Sequence, residues 1–366
     1  NTRLQVEHPV TEMISGVDLV NWQIKVAGGS PLPKSQSDLS ITGHSIEVRL
    51  YAEDPINGFL PSTGILHAFK TPFQSNNFRL ETGVLEGDEI SIYYDPMIAK
   101  LVVHEKTREL AIKSLSQVLR NISIAGLKTN QTLLLKTLST NDFIQGNVHT
   151  GFIEAQGEKF IKETPGLLVN NAPYAAITHI LYRDNLAFEE HKNSKETNSP
   201  WNNIVGWRLN LPRSEKLTLS AGDTSFEVQV TTLKNIYEVR IFDKTHHISA
   251  NMDNNGLISI LVNGQNLEFQ TCQYNDTINL MAGGATLEYI TIPFISCSDE
   301  DDSGPGAVTS PMPGLIIEVL VKVGDIVTQN DPLIIMEAMK MEYTLRAGKS
   351  GIVDDIKVSI DDQVTE

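Results

Sequence analysis

The chain has 366 residues, which is room for roughly two to four domains. With 40% hydrophobic and 20% charged residues it has the composition of an ordinary globular protein, and no apolar run approaches the ~20 residues of a membrane span. The formal net charge of −16 argues against a surface that binds nucleic-acid phosphates. Cys272 and Cys297 are too few for a disulfide framework, and no Cys/His cluster points to zinc, so we expect free thiols.

Neither end of the sequence resembles a natural terminus of a protein chain. Residue 1 opens an alternation of polar and apolar residues, with no initiating Met, signal peptide or transit peptide, and the chain stops abruptly at Glu366. We therefore expect a fragment of a longer polypeptide.

Residues 1–160 are predicted to mix helices with strands. A helix is expected over Asp18–Ala27, because its apolar residues share one face and Gly28-Gly29 would end it. Thr107 can cap a second helix, whose apolar residues also form one stripe. Strands are predicted at residues 1–7, 45–51, 90–94 and 99–103.

Residues 161–297 change in character along their length. One amphipathic helix is predicted near Tyr174–Phe188. From residue 201 onward, short alternating runs recur between turn pairs such as Asn255-Gly256 and Asn263-Gly264. Regular short strands with such turns predict an antiparallel sandwich or barrel.

Residues 298–306, Ser-Asp-Glu-Asp-Asp-Ser-Gly-Pro-Gly, contain no apolar residue. Adjacent acidic residues repel one another and extend the chain, so this stretch is predicted to be a solvated linker. A flexible tether of this kind indicates that the domain after it moves.

Residues 307–366 contain an internal repeat. Residues 314–327 align with residues 351–364, which start 37 positions later, and Val319, Val321 and Val323 map onto Ile356, Val358 and Ile360. Both sets follow the period of a strand. Two similar β-units predict a quasi-symmetric flattened barrel, with residues 337–341 at the turn between the copies.

That turn carries Glu337-Ala338-Met339-Lys340-Met341. A lone lysine in a turn is usually a solvated charge, but flanking methionines offer a soft contact surface and suit an attachment site. Here the chain resembles the biotin carboxyl carrier domain, whose attachment site is AMKM, and Met312-Pro313-Gly314 matches that family's opening strand. The resemblance implies covalent biotin on Lys340. Related lipoyl domains normally have DKA around the lysine, which is absent here.

The polar residues of the first seven are Asn1, Arg3, Gln5 and Glu7. Alternation alone favours an edge strand with one wet face. The functional alternative is a polar wall of an active site, in which Arg offers a planar fork for an oxyanion, Glu acts as a base, and Asn contacts a metal or a phosphate oxygen.

With His8-Pro9-Val10-Thr11-Glu12, these residues resemble the NTRLQVEHPVTE signature of biotin carboxylases, enzymes of the ATP-grasp fold. The resemblance implies that Arg3 anchors bicarbonate and that Glu7 is the base that activates it. It also implies that Gln5 and the Val6 backbone hold the anion. Asn1 would contribute to the metal–ATP site, with Mg²⁺ or Mn²⁺, together with acidic ligands that this chain lacks.

A second stretch, residues 43–55, is similar to the GHAxExRxxAEDP motif of the same family. There Arg49 would lie next to bicarbonate and stabilise the enolate that forms when biotin loses its N1 proton. Residues 94–101 also fit the family, and we expect a structural or subunit-contact role for them. The glycine-rich ATP loop and its lysine are missing, so this chain alone should lack a complete ATP site, and the carrier domain lacks its usual last strand.

The predicted fold is therefore multidomain α+β. We divide it into residues 1–160, the C-terminal part of an ATP-grasp biotin carboxylase; 161–297, a helix plus antiparallel β-barrel docking domain; 298–306, the acidic linker; and 307–366, a truncated biotinyl domain with a flattened β-barrel fold. This order resembles the α subunits of biotin-dependent acyl-CoA carboxylases. The resemblance implies a carboxyltransferase β partner, other α subunits, biotin protein ligase, and a mitochondrial matrix location in a eukaryote or a cytoplasmic one in a bacterium.

Details favour family members that act on 3-methylcrotonyl-CoA in leucine degradation. Residues 20–23, 146–150 and 207–210 are similar to those members. Propionyl-CoA carboxylases are the alternative, since residues 310–314 and 347–349 fit their carrier domain. Two further hypotheses stay open: a carrier and docking module without chemistry of its own, and a last domain that carries lipoate.

Overall fold

The computed structural model describes residues 3–157, 160, 166–192, 210–222, 224–233, 236–293, 308–310, 313–338 and 341–364. Asn1, Lys340 and the predicted linker at 298–306 lie outside the described residues. Within the described part, no helix combines the length and the apolar character needed to cross a membrane.

The first unit combines six helices with nine mostly short strands. The helices are α1 His8–Ser15, α2 Leu19–Ala27, α3 Arg108–Arg120, α4 Gln131–Leu138, α5 Asn141–Gln145 and α6 Phe152–Gln156, with one 3₁₀ turn at Gln36–Asp38. The strands are β1 His44–Tyr51, β2 Glu53–Asp54, β3 Leu60–Pro61, β4 Gly64–Ile65, β5 Ala68–Lys70, β6 Phe78–Thr82, β7 Glu89–Ile90, β8 Met97–Glu105 and β9 Ser123–Ala125.

Strands β1, β8 and β6 form an antiparallel sheet with β8 in the centre. Side chains alternate between its two faces, so Ile46 and Leu50 point into the core while Glu47 and Arg49 point the other way. Helix α3 covers the apolar face, where fully buried residues such as Leu115 each contribute about 1.5–3 kcal/mol. Helix α1 packs on the polar face of β1 and β8.

The second unit is one long helix followed by a closed eight-stranded antiparallel barrel, in which each strand pairs with the next and the first pairs with the last. Its elements are α7 Leu167–Lys192 and strands β10 Arg213–Ala221, β11 Thr224–Leu233, β12 Ile236–Ile241, β13 Lys244–Met252, β14 Leu257–Val262, β15 Gln265–Tyr274, β16 Thr277–Ala282 and β17 Ala285–Ile292.

Helix α7 and the barrel share one core. Ala175, Ala176 and Ile177 on the helix have no exposure, and they belong to the same buried cluster as Phe226 and Tyr289 of the strands. The Tyr289 hydroxyl donates a hydrogen bond to the Leu168 carbonyl at 2.8 Å, which satisfies its polar end. The helix is therefore part of the barrel rather than a neighbour of it.

Ion pairs fix the far part of α7 to the first barrel strand. Arg183 donates two hydrogen bonds to Glu215, at 2.6 and 2.9 Å, and Arg213 donates two to Asp184, at 2.6 and 2.8 Å. Arg213 also donates to Glu215 at 2.6 Å. Bidentate guanidinium–carboxylate geometry sets direction as well as distance, so this network orients the helix.

The first unit packs on the outer face of the barrel. The His67 ring stacks on Tyr274 with ring centroids 3.8 Å apart, and the Thr286 hydroxyl donates to the Ile124 carbonyl at 2.8 Å. Ala125 and Met281 meet in a small buried cluster between them. Strands β15–β17 thus use their inner side for the barrel core and their outer side for the first unit.

The third unit consists of short strands in two sheets, ordered β21-β20-β18-β23 and β19-β22. The strands are β18 Gly314–Val319, β19 Ile326–Val327, β20 Pro332–Ala338, β21 Met341–Arg346, β22 Gly351–Ile352 and β23 Gln363–Val364. Gly314 pairs with Val364, and 37 residues on, Gly351 pairs with Val327. The start of each repeat therefore pairs with the end of the other, as an approximate two-fold relation requires.

Several sequence predictions are confirmed. The helix expected at Asp18–Ala27 is α2, with the Asp18 side chain accepting from the Asn21 N–H at 2.8 Å. Thr107 caps α3, and the helix expected near Tyr174–Phe188 is α7. The barrel is present, and its turn at Asn263-Gly264 has positive φ at both residues (50° and 78°), as a tight hairpin needs.

Three strand predictions are wrong. Residues 3–7 form no ladder with any strand in the described part of the chain; a turn at residues 6–7 leads into α1, since Pro9 suits a first helical turn. Of residues 90–94 only Ile90 belongs to a strand, because the chain turns at residues 92–94. The Asp95 carboxylate then accepts a hydrogen bond from the Met97 N–H, a local bond that is typical of a turn.

The third wrong prediction is extended chain through residues 319–323 and 356–360. Strand β18 ends at Val319, and residues 356–360 form no strand. The Asp325 carboxylate accepts from the Lys322 N–H at 2.7 Å, and the Asp362 carboxylate accepts from the Ser359 N–H at 2.7 Å. Both copies therefore turn at equivalent positions, and the shared signal was a turn rather than a strand.

Candidate active site

The segment that precedes α1 is held by its own backbone. The Gln5 carbonyl accepts from the His8 N–H at 3.2 Å, and the His8 ring Nδ1 lies 2.7 Å from the same oxygen. Pro9 occupies the first turn of the helix, where its missing N–H leaves no hydrogen bond unmade. Glu7 is therefore presented at the N-terminal end of α1, where the helix dipole favours a negative charge.

Arg49 reaches Glu7 from the polar face of β1. Its Nη2 donates to Glu7 Oε2 at 3.2 Å, and the two side chains are 41% and 54% exposed. A cation and a carboxylate that stay this accessible can both contact a small anion from solvent. The two residues come from separate sequence motifs, and the fold brings them together.

Arg3, Gln5 and Glu7 line one cavity of about 650 Å³. The remaining lining residues are mostly apolar and come from the same segment, from α1 and α2, as Trp22 does, and from the chain that follows α2, as Leu32 does. The polar groups therefore gather at one side of an apolar recess, which is the usual arrangement of a small-molecule site. Leu4 lines the same cavity, so the alternation of a strand does not organise this wall.

Lys100, from strand β8, holds the segment that precedes α1. Its Nζ donates to the Val6 carbonyl at 3.2 Å, and it forms an ion pair with Glu81. Residues 94–101 were expected to have a structural role, and Lys100 was not singled out from them. The register that places it opposite Arg49 is set by strand pairing, which the sequence does not display.

Burial shifts the pKa of one carboxyl group on the polar face of the sheet, that of Glu47. The pKa of Glu47 is raised above its usual value because burial penalises its charged form, although Lys100 and Arg49 partly oppose that rise. Its Oε2 atom is buried and has no hydrogen-bond partner among the described residues. Glu47 therefore holds a proton more readily than an exposed glutamate does.

The second predicted site is at the hairpin of β20 and β21. Ala338 pairs with Met341, and the sequence has Met339 and Lys340 between them. Lys340 itself lies outside the described residues, and so does Asn1. The residues flanking the hairpin are well packed: Met336 has no exposure, and a Cβ on Gly314 would lie 2.8 Å from the Glu337 carbonyl oxygen.

No metal-binding cluster is found in the described part of the chain, where no group of three or more His, Cys, Asp or Glu side chains converges. Among the predicted residues, the structure thus joins Arg3, Gln5 and Glu7 at one cavity, links Glu7 to Arg49, and ties Val6 to Lys100.

Four protein families match successive parts of the chain. Residues 1–35 match the ATP-binding domain of the carbamoyl-phosphate synthase L chain, and residues 47–155 match the biotin carboxylase C-terminal domain. Residues 173–291 match the BT domain of the methylcrotonyl-CoA carboxylase alpha subunit, and residues 306–366 match the family described as biotin-requiring enzyme.

Individual relatives agree with this order. The mitochondrial methylcrotonoyl-CoA carboxylase subunit alpha of Dictyostelium discoideum is 38% identical over all of this chain and 54% of its own length. The mitochondrial propionyl-CoA carboxylase alpha chain of Caenorhabditis elegans is 34% identical over 96% of this chain and 50% of its own length. The chain thus spans about half the length of the curated relatives it matches.

One solved structure with detectable similarity is the biotin carboxylase domain dimer of Hydrogenobacter thermophilus 2-oxoglutarate carboxylase, in complex with MgADP, ADP and bicarbonate. It is 42% identical, with a TM-score of 0.43, and the match covers 45% of this chain and 36% of that chain.

Proposed function

We propose that the chain belongs to the family of biotin-dependent acyl-CoA carboxylase α subunits, which its matches resemble in order along the chain, and that it takes part in ATP- and bicarbonate-dependent carboxylation of biotin. The carboxyl group is then transferred to 3-methylcrotonyl-CoA on a carboxyltransferase β subunit. The observation that carries the proposal is the Arg49–Glu7 pair at 3.2 Å beside Arg3 and Gln5.

Bicarbonate is the substrate we assign to this pair. Arg3 and Arg49 bind its oxygen atoms with charge-assisted hydrogen bonds, and Gln5 and the Val6 N–H orient it. Glu7 accepts its proton, because a carboxylate next to a bound acid of this kind can act as a general base. The exposed Arg49–Glu7 pair supports these roles, since an anion can enter between the two side chains without desolvating a buried ion pair first.

Biotin is the cofactor that we assign to the site between β20 and β21. A lysine amine forms a stable amide with the biotin carboxyl group, and the ladder closes at Ala338 and Met341 on either side of the connection. We assign the attachment to Lys340 and the modification itself to biotin protein ligase. Bound there, biotin supplies the nitrogen that carries the carboxyl group between two sites.

ATP, with Mg²⁺ or Mn²⁺, would supply the activated phosphate. Similarity to an ATP-binding domain is confined to residues 1–35, and Asn1 is the residue of this chain that we assign to the metal. We therefore propose that this chain by itself lacks a complete ATP site.

The domain assignment follows from the same premise. We propose residues 1–160 as the C-terminal part of the biotin carboxylase, 161–297 as the docking domain for the β subunit, 298–306 as the linker, and 307–366 as the biotinyl domain with a flattened-barrel fold. A location in the mitochondrial matrix, and assembly with further α subunits, would follow for a eukaryotic protein, since the relatives named above are mitochondrial.

The acyl-CoA substrate separates two candidates. The match of residues 173–291 to the BT domain of methylcrotonyl-CoA carboxylase favours 3-methylcrotonyl-CoA. Propionyl-CoA is the alternative, because a propionyl-CoA carboxylase is 34% identical over almost the same length.

The test uses a full-length α subunit that carries this sequence, reconstituted with its copurifying β subunit. Radiolabelled bicarbonate should enter 3-methylcrotonyl-CoA in an ATP- and biotin-dependent way, and propionyl-CoA poorly. A reversed preference would establish the alternative substrate. Bicarbonate-dependent ATP hydrolysis by the 366-residue chain alone would overturn the incomplete ATP site, whereas its absence from the full-length subunit as well would leave only a carrier and docking module.

A further inference from the structure

The peptide carbonyl that directly precedes Glu7 has a charged partner. Lys100 Nζ donates to the Val6 oxygen at 3.2 Å, although the two residues are 94 positions apart in the chain. The Lys100 side chain is 11% exposed and lies in the central strand of its sheet. A largely buried lysine loses most of the hydration of its ammonium group, so that group needs protein partners in place of water.

Strand pairing explains why Lys100 is available there. It is paired with Arg49 on one side and with Glu81 on the other, so the three side chains form one row across the polar face of the sheet. Burial would raise the pKa of Glu81, but the hydrogen bond and charge of Lys100, with the charge of Arg79, hold it below its usual value. Glu81 therefore stays ionised and balances Lys100.

This balance matters for Arg49. Two adjacent cations repel each other, and the paired Glu81 offsets the charge of Lys100. Arg49 is then directed toward Glu7, with which it forms the 3.2 Å pair. Lys100 thus binds the backbone of the segment, while Arg49 stays available to the site.

The same network continues to the helix that follows Glu7. Glu81 also pairs with Arg79, which donates to Glu12 at 2.6 Å. Glu12 is 7% exposed, and its other oxygen accepts from the Leu19 N–H at 2.7 Å. Helix α1 is therefore fixed to the sheet by Glu12, and the turn before the helix is fixed by the Val6 carbonyl.

We propose that Lys100 is a positioning residue for bicarbonate, which acts by holding the Val6 carbonyl and thereby the backbone on both sides of it, so that the Val6 N–H and the Glu7 carboxylate face the anion together. The proposal rests on the proposed function. Without Lys100 the peptide can rotate, and Glu81 can attract Arg49 away from Glu7. Both changes weaken the hold on the anion and leave the groups that contact ATP unaffected.

The experiment measures bicarbonate-dependent ATP hydrolysis in a full-length α subunit that carries this sequence. Lys100→Met removes the donor and keeps the length of the side chain, whereas Lys100→Arg keeps the charge. Lys70→Met is the matched control, since Lys70 also pairs with a glutamate, at 3.0 Å, but on the exposed surface of the same unit and outside the site. Circular dichroism and the melting temperature report folding of each variant.

We expect Lys100→Met to raise the KM for bicarbonate by about tenfold, as the loss of one charge-assisted hydrogen bond implies, with the KM for ATP unchanged. Lys100→Arg should recover part of that loss, and Lys70→Met should match the wild type. If Lys100→Met does not fold, Lys100→Arg still decides, because its larger planar head fits the single bond to the Val6 carbonyl less well, and its KM for bicarbonate should rise above the wild-type value by less than about tenfold.

The inference is overturned if the folded Lys100 variants behave like Lys70→Met, or if the KM values for ATP and bicarbonate rise together. A wild-type subunit that hydrolyses ATP without any dependence on bicarbonate would overturn the proposed function, and this inference with it.

Discussion

Arg49 Nη2 lies 3.2 Å from Glu7 Oε2, although the two residues are 42 positions apart. Both side chains are largely exposed, and ion pairs of this kind contribute only about 0–1 kcal/mol to stability. The pair therefore has little value as a structural contact. Its accessibility is what makes it suitable for chemistry on a small anion.

Arg49→Ala should separate activity from stability. We expect bicarbonate-dependent ATP hydrolysis by the full-length subunit to fall by about 10²–10³-fold, the usual cost of removing a group that stabilises developing charge, while the unfolding free energy changes by less than about 1 kcal/mol. Arg240→Ala is the control, since Arg240 pairs with Glu238 at 3.9 Å on the exposed barrel surface. Equal activity in both variants would remove Arg49 from the site.

Lys340→Ala should abolish covalent biotin. The chain, coexpressed with a biotin protein ligase, should give a signal on an avidin blot that disappears in this variant and persists in Lys349→Ala, in which another lysine of the same domain is removed. Intact mass measurement separates the alternatives, because biotin and lipoate adducts differ in mass. A lipoate adduct, or a blot signal that survives in Lys340→Ala, would contradict the assignment.

Gly314→Ala and Gly351→Ala occupy equivalent positions in the two repeats, yet only the first should destabilise the third unit. A Cβ on Gly314 would meet the buried Met336 methyl group and lie 2.8 Å from the Glu337 carbonyl oxygen, whereas one on Gly351 has nothing within 4 Å. Overpacking of this kind costs about 1–3 kcal/mol. Hydrogen exchange in β18 and β20 should rise in Gly314→Ala alone; equal exchange in both variants would mean that the contact relaxes without cost.

Gly284→Ala should loosen the contact between the barrel and the first unit. Gly283 and Gly284 both have positive φ, at 61° and 85°, so backbone strain from alanine is shared by both positions. A Cβ on Gly284 would also collide with the Leu135 side chain, while one on Gly283 has nothing within 4 Å. Exchange in α4 should therefore increase in Gly284→Ala and stay at the wild-type level in Gly283→Ala, an asymmetry that backbone strain alone cannot produce.

Cys272 should resist alkylation while the protein is folded. Burial against the first unit raises the pKa of its thiol to about 11, so the reactive thiolate is scarce at neutral pH. Because the folded pKa lies above that of the unfolded chain, the folded state keeps its proton longer, and this group lowers stability as pH rises from about 9 toward 11. Iodoacetamide labelling followed by mass spectrometry should detect slow modification at pH 8 that urea accelerates; fast labelling without urea would contradict the buried thiol.

Part of the fold could be read from local signals. Asp18 and Thr107 cap their helices with bonds to residues three positions on, and Asn263-Gly264 makes its hairpin with positive φ, so each signal and its effect lie within a few residues. The strand prediction failed over residues 3–7 because alternating residues form a strand only where a neighbouring strand can pair with them, and that information is not local.

The sequence by itself determined which chemical groups are present and which belong to repeated units. The 37-residue repeat predicted two β-units, and the structure pairs Gly314 with Val364 as it pairs Gly351 with Val327. The motifs likewise named Arg3, Gln5, Glu7 and Arg49 as candidates. Such inferences need only the order of residues along the chain.

Only the tertiary structure decided which of these groups meet. The register of β1, β8 and β6 places Lys100 between Arg49 and Glu81, and the packing of α1 on that sheet brings Val6 and Glu7 to them. Register is set by burial of the opposite face under α3, since a slip of one residue would turn every charged side chain into the core. The geometry of the site is therefore a consequence of apolar packing on the other side of the sheet.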